Sequence, residues 1–192
     1  NIDAKTRVSV RDNFTNFTSG NNQGSSHLSN QGIGHDKFNQ LVGEVMTAWS
    51  AGFINEALLQ YSSDERPITP VFAGNDTLAG TEFRITGLTS GNLFFGQRDS
   101  LPNNTRERKV QVKDTVRRTL GSHGLKAGTE LLFMHIDNLF PSNRTGQYQY
   151  SSVANYVNDI PATFLQGYGA GGGETSWNQD TYAVFVSDNF RP

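Results

Sequence analysis

Downstream of Pro67 the apolar residues return at every second position in one short run after another, and this alternation constrains the fold more than any other feature of the chain. A period of two places successive side chains on opposite faces of a strand. The runs predict strands near 68–73, 81–87, 92–97, 108–119, 129–137, 146–153, 161–166 and 180–187, most of them separated by clusters of Gly, Asn, Asp and Pro. No helical pattern intervenes, so the sheets are expected to be mainly antiparallel. Residues 6–17 add a first strand, with Val8 and Val10 in alternation and Phe14 and Phe17 after them.

Between these regions the period changes. Residues 18–34 are rich in Gly, Ser and Asn and read as a long polar loop. From Asp36 the apolar residues Phe38, Leu41, Val42, Val45, Met46, Trp49, Phe53, Ile54, Ala57, Leu58 and Tyr61 fall three or four apart. That spacing predicts an amphipathic helix over 36–61, capped by Asp36 and stopped by Ser62, Ser63 and Pro67. Gly43 and Gly52 would each cost such a helix about 1 kcal/mol. The expected fold is therefore α+β: an antiparallel β-sandwich or jelly roll with one long helix. A length of 192 residues fits a single domain over 1–192, with 1–34 as a strand and loop open to exchange with a neighbouring subunit.

The phrases ITGLTSGNLFF (85–95) and GLKAGTELLF (124–133) share a Gly-Leu corner leading into a strand. Over about ten residues each resembles the corner before a late strand in immunoglobulin-like and fibronectin type III-like sandwiches. The resemblance implies a β-sandwich and no activity.

Composition narrows the function classes. There is no cysteine, hence no disulfide framework and no thiolate chemistry. A net charge of −2 gives no global field for nucleic acid, and charged residues are only 18% of the chain. No apolar run approaches the roughly 20 residues of a spanning helix, so membrane insertion is not expected. No leader sequence is evident, and a start at Asn1 fits a trimmed chain or one released by a processing protease.

Catalytic signatures are absent: no G-x-S-x-G elbow, phosphate loop, dinucleotide fingerprint or H-E-x-x-H. His27, His35, His123 and His135 share no metal-ligand spacing, so no metal and no cofactor are expected. His135 and Asp137 stand two apart and would share a strand face, where Asp can orient the imidazole. Arg106, Arg108, Lys109, Lys113, Arg117 and Arg118 cluster, and Lys109 and Lys113 alternate with valines to give a strand with a basic outer face. The glycine-rich stretch 167–180 offers Tyr168 and Trp177 as stacking faces and Glu174, Asn178 and Asp180 as hydrogen-bonding groups, a candidate ligand site for a glycan. Asn-x-Ser/Thr triplets begin at Asn13, Asn16, Asn75, Asn103 and Asn143.

Together these features point to a non-enzymatic structural subunit of a surface filament, appendage or virion, outside the cytoplasm. Its partners would be copies of itself or other structural subunits, with no nucleic acid. Val8, Val10, Phe14 and Phe17 of an exchanged strand, with Trp49 and Phe53 of the helix, are the candidate subunit interface. The second reading is a carbohydrate-binding or adhesion module.

Overall fold

The computed structural model describes residues 5–21, 27–71, 80–169 and 172–191. The main sheet contains β1 (Thr6–Asn21), β2 (Gly32–Ser50), β3 (Phe53–Glu65), β7 (Asn104–Leu120), β8 (His123–Leu139) and β11 (Glu174–Phe190), hydrogen-bonded in that order, with short β4 (Ile68–Pro70) paired to β2. Every pairing in it is antiparallel.

The expected helix over 36–61 does not exist: the segment is a hairpin of β2 and β3 turning at Ala51–Gly52. The chain is not α+β, and among the described residues no second large sheet packs on the first to make a sandwich or jelly roll. Both faces of β2 and β3 carry apolar side chains. Leu41, Val45, Leu59 and Tyr61 lie on one face, and Phe38, Val42, Met46 and Leu58 on the other. Two interleaved sets with period two, each interrupted by polar residues, gave a spacing of three and four. Gly52, read as a tolerated helix glycine, is the turn. Among the described residues the one α-helix is α1 (Val153–Val157), its first turn capped by the Ser152 hydroxyl accepting from Asn155 N–H. The corner resemblance also fails, since 85–95 is the hairpin of β5 (Glu82–Leu88) and β6 (Gly91–Gly96), whereas 124–133 lies inside β8.

The two ends of the main sheet differ. At one end β2–β3 and β7–β8 are joined by two-residue turns, Ala51–Gly52 and Gly121–Ser122. At the other end leave the long connections β1–β2, β3–β7 and β8–β11. The last two build a small sheet in the order β10 (Thr163–Leu165), β9 (Gln147–Tyr150), β5, β6. The first joins it through the single turn Leu28–Asn30, where Gly96 N–H donates to Ser29 Oγ at 3.0 Å. This cap holds the best-buried core: Leu101 and Asn30 are 0% exposed, with Ile85, Tyr150 and Glu82 close behind. The rings of Phe83, Phe95, Tyr148 and Tyr156 pack together at 5.2–6.3 Å. The main sheet has no comparable apolar interior, and its large hydrophobic side chains are mostly exposed.

Candidate functional site

The register fixes which side chains share a face, because residues directly opposite on antiparallel neighbours point the same way. One row across the sheet reads Val10, Gly43, Leu59, Val112, Leu131, Tyr182, and the next reads Asp12, Leu41, Tyr61, Val110, Phe133, Asp180. With Val8, Val45, Val184 and Val186 they form a mainly apolar band on the exposed face, interrupted by Asp12 and Asp180 and, in the Val8–Val45–Val184 row, by Asp114, which accepts from Asn55. Aromatic residues border it. Phe14, Tyr61, Phe133 and Tyr182 stand toward the long connections; Phe53, edge-to-face with Trp49 at 4.5 Å, and Phe190 stand toward the short turns. On β8 the band runs from Leu125 to Phe133, about 26 Å along the strand, or about 20 Å of height at a tilt of about 40°.

The opposite face is polar. Its rows read Ser9, Glu44, Leu58, Lys113, Glu130, Ala183 and Arg11, Val42, Gln60, Gln111, Leu132, Thr181. Arg117 pairs with Glu56 at 3.1 Å, Gln111 donates to Glu130 at 2.5 Å, and Ser9 donates to Glu44 at 3.3 Å. This face is the more sheltered one: Ser62 and Thr115 on it are buried, while the valines of the other face are exposed. Lys109 and Lys113, expected on an outer basic face, lie on this inner one. In water this distribution is inverted. Soluble proteins rarely leave contiguous apolar patches beyond a few hundred Å² bare. It is the distribution of a sheet with lipid outside and water inside.

Beyond the band, on the same outward face, lies a polar belt. His135 Nε2 is 3.0 Å from Asp137 Oδ1, its Nδ1 is 2.7 Å from Asn178 Oδ1, and Arg108 reaches the other Asp137 oxygen at 3.1 Å. Ser176 Oγ donates to Asp137 at 2.9 Å. The serine proton is thus directed at the carboxylate and not at the imidazole, and Arg108 balances Asp137. The arrangement makes a hydrogen-bonded belt with no activated nucleophile.

Next to the belt, at the mouth of the long connections, two cavities share Glu174. The larger, about 680 Å³, is lined by Phe140, Arg144, Tyr168, Glu174 and the backbone of Gly167, Gly169, Gly172 and Gly173. The smaller, about 350 Å³, includes Asn104, Arg106, Asp137 and Ser176. Of the residues expected to hold a ligand, Tyr168 and Glu174 meet here. Trp177 faces the inner side opposite Ile136, Asn178 bonds His135 in the belt, and Asp180 is outward opposite Phe133. Of those expected at a subunit interface, Val8, Val10 and Phe14 belong to the outward band, Phe17 points inward opposite Asp36, and Trp49 with Phe53 marks the turn-side border. Arg144 and Asn104 were not singled out from sequence. Nothing in their local pattern distinguishes them, because two separate connections bring them to one mouth.

Among the described residues no helix is long and apolar enough to cross a membrane, so crossing falls to the strands. The fold is similar to the crystal structure of the outer membrane transporter YddB from Escherichia coli, with a TM-score of 0.60 and 10% identity, covering 98% of this chain and 24% of that one. The chain thus spans about a quarter of the length of that protein. No curated protein matches the sequence. A family model described as outer membrane beta barrel domain matches residues 1–192. That match corrects the sequence reading: this is an outer membrane protein and not a filament, appendage or virion subunit, and the expectation of no membrane insertion is wrong. The family is one of membrane barrels and not of enzymes, and it places the protein in the cell envelope. With inverted faces, aromatic borders and a family match over its whole length, the chain belongs to the outer membrane beta barrel domain family.

Proposed function

We propose that the chain forms part of the wall of a solute-conducting barrel in the outer membrane, as one domain of strands and cap. The observation that carries this is the pairing of an apolar outward band with a charged inner face on the same strands. The two-residue turns face the periplasm and the cap faces outside, since outer-membrane barrels have short periplasmic turns and long external loops. The likeness to an outer membrane transporter supports the conducting role. β1 runs toward the cap and β11 away from it, and each is paired along one edge only among the described residues. Bare edges cost several kcal/mol per unpaired group in lipid, so further antiparallel strands cover both. The inner charges then line water.

Single cysteines test the topology, because the chain has none of its own. A membrane-impermeant maleimide added to intact cells should label Val157→Cys in the cap and spare Ser122→Cys in the turn, which reacts only after the outer membrane is permeabilised. The reverse pattern, or recovery of the protein in the soluble fraction, refutes the reading.

A further inference from the structure

The two cavities at the cap mouth carry opposite unpaired charges. Arg144 and Glu174 line the larger one, and neither side chain has an ion-pair or hydrogen-bond partner among the described residues. The neighbouring charges are already matched: Arg106 to Glu65, and Asp137 to Arg108 and His135. The smaller cavity adds Asn104 Oδ1, a buried acceptor with no donor. Such an atom calls for a partner. Beside them Tyr168, 87% exposed, presents a bare ring.

We propose that this mouth binds short peptides with free termini, the ammonium group at Glu174 and Asn104 and the carboxylate at Arg144. A carboxylate fits the guanidinium fork with two parallel hydrogen bonds. An ammonium group supplies the donors that Glu174 and Asn104 Oδ1 lack. Tyr168 covers the peptide plane or a side chain. A lipid headgroup shares the zwitterionic chemistry but offers no flat group for Tyr168. The inference rests on the membrane reading only in placing this mouth outside the cell.

The test is calorimetry on the purified protein in detergent, with trialanine as probe. Its N-acetylated and C-amidated forms and O-phosphoethanolamine are the comparators. Charge-assisted hydrogen bonds predict that each cap weakens binding about tenfold or more. Arg144→Ala should weaken trialanine to the level of its amide and leave the amide unchanged. Glu174→Gln should do the same with respect to the acetylated peptide. Capped peptides that bind as well as trialanine, no detectable binding, or tighter binding of O-phosphoethanolamine would overturn the proposal. Because the measurement needs no bilayer, its failure leaves the cysteine topology standing, and the converse also holds.

Discussion

Arginine placed at adjacent positions of β7 reports directly which side of the sheet meets lipid. Val112 lies within the outward band, in the row between Leu59 and Leu131, and is 37% exposed. Gln111, one residue away, points inward and donates to Glu130. Val112→Arg puts a guanidinium into hydrocarbon, which costs about 2–4 kcal/mol near the midplane of a barrel. At about 1.4 kcal/mol per tenfold, that lowers the folded-to-unfolded ratio by roughly 30-fold to several hundredfold. Gln111→Arg leaves the new charge in water beside Glu130, where a partly exposed ion pair changes stability by at most about 1 kcal/mol. The assay is guanidinium unfolding from lipid vesicles, followed by the loss of the compact band in unheated gel samples. Equal costs at the two positions, or a larger cost at Gln111, would refute the assignment of faces.

Two further outcomes follow from the packing and the cap. The Phe185 ring lies over Gly128, where a Cβ would come within 2.8 Å of ring carbon and 2.5 Å of Asp114 O, so Gly128→Val should overpack the β8–β11 pair. A cost of about 1–3 kcal/mol in the same unfolding assay is expected, and a neutral result would show that Phe185 does not rest there. Glu82 joins all three connections. It accepts from Gln147 Nε2 and Asp99 N–H at 2.8 Å each, beside buried Asn30. Burial, with the Asp99 carboxylate facing it, pushes its pKa above the ordinary carboxylate range. A raised acid binds more protons folded than unfolded, so cap stability is greatest at low pH and falls as pH rises from 4.5 through the raised value. Protease cleavage of the cap should therefore quicken over that window and lose this dependence in Glu82→Gln. An unchanged pH profile in the variant would exclude Glu82 as the cause.

Much of the strand content was legible because alternation is a property of neighbours in sequence. The runs at 108–119 and 180–187 lie inside β7 and β11, and the pairing of His135 with Asp137 on one face follows from their separation by two. The hairpin of β2 and β3 was not legible, since apolar residues on both faces mimic a helical stripe and only the turn at Gly52 separates the two readings. The cavity at the cap mouth was half legible. Tyr168 and Glu174 sit in an evident glycine-rich stretch, whereas Asn104 reaches the mouth from the start of β7, far away in sequence.

The sequence by itself determined the period: strands of alternating character, punctuated by glycine, with no catalytic motif and no spanning helix. It did not determine which set of alternating residues faces outward, because a period of two is symmetric with respect to inside and outside. That was decided by the register of β1, β2, β3, β7, β8 and β11. Their alignment gathers Val10, Leu59, Val112 and Leu131 into one continuous band and Glu44, Lys113 and Glu130 onto the sheltered face. A mainly apolar outer face over a charged inner one is stable where lipid lies outside, so the same alternation that suits a soluble sandwich here makes the wall of a membrane barrel.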